Sequence, residues 1–167
     1  MQDFCQGFKL IHAQDPHWMI LGTMPSVQSL EHAFYYAHPR NAFWPIMSDL
    51  VDMPISSEAE KVALVKRAGL VLWDVLQSCE RKGSLDSAIK DASANDFAQL
   101  FLLYPTIKTV VFNGQKAEQL FKRYVVKKQQ IPADINYLVL PSTSPANAAK
   151  SFEDKRLFWQ EKLSHLV

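Results

Sequence analysis

Cysteine is scarce in this chain of 167 residues, which contains only Cys5 and Cys79. Two thiols are too few for a disulfide framework, and they lack the short spacing of metal-binding cysteine pairs. An iron–sulfur cluster held by four cysteines of this chain alone is also excluded. We therefore expect a reducing, cytoplasmic location, no metal and no cofactor.

Long apolar runs are absent as well. Every apolar stretch is interrupted by charged or turn residues well short of the roughly 20 residues that a membrane span needs. The first residues also lack the basic region and apolar stretch of a secretory signal. We expect neither membrane association nor export.

An excess of charge is the third absence, since 18 basic and 17 acidic residues give a net charge of +1. Proteins that coat long stretches of DNA usually carry a marked basic excess. A near-neutral chain can still bind nucleic acid through a local patch. Arg81 with Lys82, and the basic residues between 116 and 128, could form one, although such clusters are also ordinary for solvated helix faces and turns.

The apolar residues that are present form four short runs, which predict buried strands. These runs cover residues 18–21, 70–73, 109–112 and 137–140. Helical spacing or capping residues lie between and after them, near 43–51, 58–67, 96–103, 115–124 and 152–163. Strands of this kind separated by helices indicate an open, mostly parallel α/β sheet with helices on both faces.

The rest of the chain contains no repeat, low-complexity segment or linker, so we predict a single domain over residues 1–167 and a monomer. Residues 4–11 are expected to be a packing lead-in. The polar segment 78–87 is expected to be a loop that turns at Gly83.

Polar and turn residues follow each predicted strand at once. The four endings are Gly22-Thr23-Met24-Pro25-Ser26, Asp74, Asn113-Gly114 and the segment 141–147. In open parallel sheets the ligand site lies beyond the carboxyl ends of the strands, so these endings should share one crevice. The aromatic and polar stretch 35–44 would suit a planar polar ring such as a nucleobase. A strand-to-helix junction with packed aromatics and a serine-rich turn is the simpler alternative.

Several motifs resemble the uracil-DNA glycosylase superfamily, most of all its group of hypoxanthine-DNA (deoxyinosine) glycosylases. They are G-T-M-P-S, Y-Y-A-H-P-R-N-A-F-W, W-D-V-L-Q-S-C-E-R-K-G-S-L-D-S, F-N-G-Q-K-A and L-P-S-T-S-P-A-N-A. The resemblance extends over residues 18–160. It implies a three-layer α/β/α sandwich around a four-stranded parallel sheet, ordered 2-1-3-4. It also implies monofunctional removal of deaminated bases from DNA in base excision repair, with hypoxanthine first and uracil second.

The resemblance also implies which residues hold the base. Tyr36 matches the position whose ring stacks on a flipped base, although it could be a plain core tyrosine. Backbone N–H groups from Gly22, Thr23 and Met24 would bind the edge of the base and stabilise its negative charge. Phe43 and Asn113 complete this base-binding set.

For catalysis, the same resemblance points to Asn41. Many relatives carry an acidic or amide residue where this chain has Met24, whereas the hypoxanthine group uses an asparagine that Asn41 matches. An uncharged amide cannot be a strong base, so Asn41 would hold and orient the attacking water. It could equally cap a helix, and the two roles are compatible. His38 is the second catalytic candidate, with a structural role as its alternative.

The predicted DNA contacts lie mainly in the last motif, whose loop enters the minor groove in relatives. The full set is Ser26, Arg81, Lys82, Ser84, Ser142, Thr143, Ser144 and Asn147. Leu140 stands where relatives that remove uracil efficiently have a histidine, which argues for weaker uracil excision. Two further functions stay open: a mismatch-specific uracil/thymine glycosylase and a non-catalytic binder of damaged DNA.

Overall fold

The computed structural model describes residues 4–167. Its strands are β1 (Phe4–Gln6), β2 (Ile11–His12), β3 (Trp18–Gly22), β4 (Leu70–Asp74), β5 (Leu76–Glu80), β6 (Lys90–Ala94), β7 (Thr109–Asn113) and β8 (Asn136–Leu140). Its α-helices are α1 (Val27–His32), α2 (Phe43–Val51), α3 (Glu58–Arg67), α4 (Phe97–Leu103), α5 (Gln115–Phe121) and α6 (Phe152–Leu163). A 3₁₀ turn covers Asp86–Ala88, and a π-helical turn covers Lys122–Val126.

The central sheet has five strands in the order β2-β4-β3-β7-β8. The four strands β4, β3, β7 and β8 are parallel and correspond to the four apolar runs of the sequence. The short strand β2 pairs antiparallel with β4 at the edge. The predicted α/β class is therefore confirmed, whereas the prediction of a purely parallel sheet with four strands is wrong. The residues that form β2 are too few to show a strand period.

A second, three-stranded antiparallel sheet has the order β1-β5-β6. It overturns the prediction of an irregular lead-in, because residues 4–6 form β1, and it shortens the loop predicted over residues 78–87, because Ser78–Glu80 belong to β5. The predicted turn at Gly83 is confirmed. In β5 the side chains of Leu76 and Cys79 are buried and those of Gln77 and Glu80 are exposed. The hydrogen bonds of this strand are made with distant parts of the chain, so its polar residues alone gave no signal of it.

Strand β3 lies in the middle of the central sheet and is buried along its whole length. Its side chains alternate between two hydrophobic clusters. Met19 and Leu21 pack with residues of α4 and α5, whereas Trp18 and Ile20 pack with residues of α2, α3 and α6. Helices therefore cover both faces of the sheet, and they leave the ends of its strands uncovered.

Short polar residues start the helices as their sequence predicts. The hydroxyls of Ser57 and Ser151 and the carboxylate of Asp96 accept hydrogen bonds from backbone N–H groups at the starts of α3, α6 and α4. The longest of the described helices, α6, has 12 residues. No helix in residues 4–167 is both long and apolar enough to cross a lipid bilayer.

Candidate active site

A cavity of about 690 Å³ opens at the carboxyl ends of the parallel strands. Every one of the four parallel strands contributes to its wall, as the strand-end rule for open sheets requires. The predicted site residues that line it are Gly22, Thr23, Met24, Ser26, Tyr36, Asn41, Ser84, Asn113, Ser142, Thr143, Ser144 and Asn147. His38, Phe43, Arg81 and Lys82 are not part of the wall.

Gly22 ends β3 at the tightest point of this wall. A Cβ atom added there would lie 2.6 Å from Asp74 Oδ1 and 2.9 Å from the Tyr36 hydroxyl oxygen. Both distances are shorter than any real contact of a Cβ atom, so only glycine lets the Asp74 and Tyr36 side chains come this close to the backbone.

The Tyr36 ring is held in a fixed position. Its backbone has a φ of +53°, a left-handed conformation that costs a tyrosine of the order of 1–2 kcal/mol. The ring stacks on Phe43 with 4.2 Å between ring centroids and 28° between planes. Phe43 itself is fully buried, so it supports Tyr36 from below and does not face the cavity as the base-binding prediction required. Strain of this kind persists only where the surroundings enforce it.

The Tyr36 hydroxyl is buried and makes no hydrogen bond with the described residues. Burial first, and then the carboxyl of Asp74, raise the pKa of Tyr36 far above its ordinary value. The side chain of Asn113 is close enough to offset part of that rise. The hydroxyl is therefore neutral, and it can donate a hydrogen bond to a ligand in the cavity.

The residues after Gly22 join the cavity to the neighbouring strand. The carbonyl oxygens of Gly22 and Thr23 accept hydrogen bonds from Val75 N (2.8 Å) and Leu76 N (3.1 Å). The Thr23 hydroxyl donates to Asp86 Oδ1 at 2.7 Å. Met24 is buried and packs with the apolar cluster of α4 and α5. Its thioether adds bulk to the wall and no acid–base group.

Asn41 precedes α2 and faces the cavity. Its Oδ1 accepts a hydrogen bond from Phe43 N, the first residue of α2, at 2.9 Å, although the N-cap of this helix is Ala42 and not Asn41 as predicted. The next residue, Ala42, donates its backbone N–H to the carbonyl oxygen of Thr143 at 3.0 Å. The first bond restrains the Asn41 side-chain amide, and the second holds the backbone beside it.

His38 lies in the same turn but outside the wall. Its Nδ1 accepts a hydrogen bond from Arg40 N at 3.0 Å, and its carbonyl oxygen accepts one from Asn41 N at 2.9 Å. These contacts shape the turn that carries Asn41. The structure thus places the histidine beside the candidate site and gives it a structural task.

Asn113 and Thr143 join the last two strand ends. Asn113 Nδ2 donates to Thr143 Oγ1, and Thr143 N donates to Asn113 Oδ1, both at 2.9 Å. Thr143 has no exposed surface, so its hydroxyl is not available for the DNA contact predicted for it. Asn113 borders the cavity with the hydrogen-bonding capacity that this pair leaves unused.

The serine-rich loop after β8 is fixed largely by its own polar groups. Ser142 Oγ accepts from Ser144 N at 3.2 Å, and Ser144 Oγ accepts from Ala146 N at 3.1 Å. Asn147 Nδ2 donates to the carbonyl oxygen of Ser142, and the buried amine of Lys155 donates to that of Ser144, both at 3.1 Å. This loop is therefore a stiff rim on the cavity.

The opposite rim is anchored by two serines. Ser26 caps α1, because its Oγ accepts from Ser29 N at 3.1 Å, and Ser84 Oγ accepts from Val27 N at 2.8 Å. Lys82 is exposed, away from the wall. Arg81 is 3% exposed and donates to the carbonyl oxygen of Pro25, so its side chain points into the protein and not toward a DNA phosphate.

Sequence reasoning assigned no role to two acidic residues of the wall. Asp74 ends β4 beside Gly22 and is 4% exposed, and Asp86 accepts the Thr23 hydroxyl. Burial, then the nearby Asp86 carboxylate, raise the pKa of Asp74 to about 7, against a lowering by Arg81. The position of Asp74 directly after an apolar run was the available signal, whereas nothing in the local sequence marks Asp86.

Two lysines and one leucine complete the wall. Lys116 follows the end of β7, and Lys150 lies exposed beyond the serine-rich loop. Leu140 is 2% exposed and presents no polar group. Within residues 4–167, no three His, Cys, Asp or Glu side chains come together as a metal site would require.

Fold and site together define a class of protein: an α/β protein with a polar cavity at the ends of parallel strands, floored by a glycine and a stacked tyrosine. The family model of the uracil DNA glycosylase superfamily matches residues 8–162. The chain belongs to this superfamily, and the prediction that it is a DNA glycosylase is confirmed.

Proteins of two Methanosarcina species are similar to this chain. The chain is 30% identical to hypoxanthine DNA glycosylases of Methanosarcina acetivorans and Methanosarcina barkeri, over 164 and 160 residues. These alignments cover 96% and 93% of this chain and 98% and 96% of the two relatives. A candidate uracil DNA glycosylase of Methanosarcina acetivorans, solved by NMR in solution, has a TM-score of 0.79 at 30% identity, with 98% of both chains covered.

A first prediction concerns the link between the last two strand ends. Replacing Thr143 by valine leaves Asn113 Nδ2 buried without its acceptor, so we expect a loss of about 1–3 kcal/mol in the free energy of unfolding. Urea denaturation measures it. Thr143→Ser keeps the hydroxyl and is the matched control. A valine variant more stable than the serine variant would show that the hydroxyl is not needed.

A second prediction concerns the ring of Tyr36. Tyr36→Ala removes the stacking face, which is worth about 1–3 kcal/mol for each stacked base, so binding of damaged DNA and its turnover should both fall. Tyr36→Phe keeps the ring and removes a buried hydroxyl without a partner, so its folding stability should not fall. Affinity and single-turnover rates, compared between the two variants, separate the ring from the hydroxyl. Equal losses in both would assign the effect to the hydroxyl.

Proposed function

We propose that this protein hydrolyses the N-glycosidic bond of deoxyinosine in DNA and releases hypoxanthine, with uracil as a second and weaker substrate. The product is an abasic site that the later steps of base excision repair consume. The main support for this proposal is the cavity, where a rigid aromatic ring and an amide lie together at the carboxyl ends of the parallel strands. Full-length similarity to two hypoxanthine DNA glycosylases supports the same substrate.

A base must leave the duplex before it can enter this cavity. Extrusion costs a few kcal/mol and is easiest for mispaired bases, which favours deaminated ones. Tyr36, fixed by Phe43, offers its free face to the entering ring in this proposal. Gly22, Thr23 and Met24 line the cavity, and their backbone N–H groups would meet the edge of the base. These dipoles are oriented before the reaction, so they stabilise negative charge on the departing base without reorganisation.

Asn41 holds the attacking water in this mechanism. Its Oδ1 accepts a hydrogen bond from Phe43 N, which restrains the amide, and Asn41 lines the cavity. A neutral amide cannot take the proton of the water efficiently, so its contribution is placement of the nucleophile. The hydrolysis then depends on placement and on stabilisation of the leaving base.

The rim of the cavity can contact the phosphate backbone of DNA, although it carries few charges. Lys116 and Lys150 border the opening, and the serine hydroxyls with Asn147 add short polar groups. Such groups position a protein on DNA and read no sequence. The small residues Pro145 and Ala146 occupy the place where relatives insert a large wedge, so extrusion depends more on the weakness of the damaged pair.

The wall also favours hypoxanthine over uracil. Leu140 brings an apolar side chain to the position where a histidine assists uracil excision in relatives. None of the described residues beside Leu140 in the wall is a histidine.

The deciding assay uses duplex oligonucleotides that contain one hypoxanthine, uracil, xanthine or mismatched thymine. We expect abasic sites, revealed by hot alkali, fastest with hypoxanthine, and the same yield in the presence of EDTA. Borohydride should trap no protein–DNA adduct, because water and not a lysine is the nucleophile. Binding of hypoxanthine DNA in gel shifts without any abasic product would instead support a non-catalytic damage binder.

Asn41 provides the sharpest test of the mechanism. Asn41→Ala should lower the single-turnover rate on hypoxanthine DNA by roughly 30- to 1000-fold, because water placement of this kind is worth on the order of 2–4 kcal/mol. Affinity for the damaged duplex should change little. Loss of the bond to Phe43 N should also lower the stability by about 1 kcal/mol.

Asn41→Asp is the matched control for this variant. The carboxylate can still accept the hydrogen bond from Phe43 N and hold a water, so it should retain more activity than alanine. Thermal melting shows whether each variant is folded. A stable alanine variant that works at nearly the parent rate would move the catalytic role away from Asn41.

A further inference from the structure

The floor of the cavity contains a carboxyl group that the proposed mechanism does not use. In the register of the parallel strands Asp74 lies opposite Gly22, and its Oδ1 occupies the space next to the glycine Cα. The Tyr36 hydroxyl lies on the same side of this glycine. The two side chains thus meet the cavity at one point, beside the first motif.

These groups are buried without partners. Asp74 Oδ2 and the Tyr36 hydroxyl make no hydrogen bond with any of residues 4–167, although neither atom is open to water. Asp74 is 4% exposed. Buried polar atoms are almost always paired in folded proteins, and a catalytic role is one of the explanations for an unpaired one beside a cavity.

The charged groups near Asp74 do not balance a negative charge on its carboxyl. Tyr35 and Tyr36 approach from the segment between α1 and α2, and both are neutral. Asp86, from the 3₁₀ turn, adds negative charge, and Lys116 from α5 acts on Asp86. Arg81 is the cation that lowers the pKa of Asp74, but it donates to the Pro25 carbonyl oxygen and its Nε makes no hydrogen bond with the described residues. An ionised carboxylate in this position would lack a direct partner, which is costly, so the protonated form is favoured.

We propose that Asp74 is a catalytic residue that donates a proton to the departing base, and that the preferred substrate class is therefore a purine. This inference rests on the proposed glycosylase function and adds a general acid to its mechanism. A protonated carboxyl offers one O–H donor, and hypoxanthine offers acceptors at N7 and O6 on a single edge.

The step is balanced as follows. The Asp74 proton moves to N7 while the bond between C1′ and N9 breaks and its electron pair passes to the base, so hypoxanthine leaves neutral. The water held by Asn41 forms the new bond to C1′ and loses its proton to solvent, from which Asp74 is reprotonated. General acids in such positions contribute about 10²–10⁴ in rate, most effectively when their pKa is close to the working pH.

Uracil lacks N7 and offers only carbonyl oxygens, which are weaker bases than the imidazole nitrogen of a purine. Proton donation therefore assists a purine more than a pyrimidine. Together with the apolar Leu140, it gives this cavity a chemical reason to favour hypoxanthine.

The pH dependence of single turnovers tests the role of Asp74. Its pKa of about 7 in the folded protein predicts that the rate on hypoxanthine DNA falls about tenfold for each pH unit above neutrality. Asp74→Asn should be about 100-fold slower or more and lack this dependence. In Asp86→Asn, loss of the neighbouring charge should lower the pKa of Asp74 and move the fall to lower pH.

A modified base tests the same step in the unaltered protein. 7-Deazahypoxanthine has a carbon in place of N7, so it should be removed slowly by the parent enzyme. Asp74→Asn should discriminate much less between the two bases, since it has no proton to deliver. Equal discrimination by parent and variant would overturn the proposal.

Folding stability gives a readout that is independent of activity. A pKa raised in the folded state from 3.8 to about 7 means that the folded protein holds a proton that the unfolded chain has lost. The free energy of unfolding should therefore fall as the pH rises from about 4 through about 7, and Asp74→Asn should lack this part of the fall. Identical curves for the two proteins would show that Asp74 is ionised throughout.

The outcomes distinguish a failure of the proposed function from a failure of the role proposed for Asp74. If the parent protein releases no hypoxanthine at any pH, the proposed function itself fails. If it releases hypoxanthine with the same pH profile in parent and Asp74→Asn, the glycosylase function stands and Asp74 is not the acid.

Discussion

The missing side chain of Gly22 is the constraint on which the candidate site depends. The space of its Cβ atom is taken by Asp74 Oδ1 and the Tyr36 hydroxyl, so the ends of β3 and β4 and the turn before α2 converge within van der Waals distance. The apolar strands fix where this point lies, because β3 is buried in the middle of the sheet and cannot shift without exposing Trp18 or Leu21. A well-packed core thereby holds a polar floor that would be unstable on its own.

The opposite side of the cavity is joined by hydrogen bonds instead of close packing. Asn113 and Thr143 connect the ends of β7 and β8, and the carbonyl oxygen of Thr143 accepts from Ala42 N, next to Asn41. One buried threonine thus connects three segments that are far apart in sequence. Its hydroxyl was expected to touch DNA, but its place in this network shows that the serine-rich motif is a structural brace as well as a rim. Rigid support of this kind is what positions an amide for catalysis.

Structural elements that depend on neighbouring residues could be predicted from the sequence. Elements that depend on pairing between distant residues could not. The four apolar runs, the helix caps and the convergence of Gly22, Asp74 and Asn113 on one crevice follow from strand length, short polar residues and sheet geometry. Asn41 was assigned to the site by the family resemblance alone. The edge strand β2 and the sheet β1-β5-β6 depend on pairing between residues such as Cys5 and Cys79, for which the sequence has no local pattern. Arg81 was assigned to the surface by its charge, and only the fold shows that its side chain turns inward to the Pro25 carbonyl oxygen.

The small net charge of the chain and the neutral groups of the cavity floor have the same consequence for how the protein selects its substrate. With a net charge of +1, the protein has little general attraction for the DNA backbone, and the lysines at the cavity rim supply only a local one. Selectivity must therefore come from what happens to an extruded base and not from the strength of the encounter. In the proposed mechanism the protonated form of Asp74 is a neutral donor, and a neutral donor distinguishes bases by the acceptors they present. A pyrimidine, which lacks N7, leaves this buried donor unpaired, and that penalty rejects it more strongly than any loss of apolar contact would.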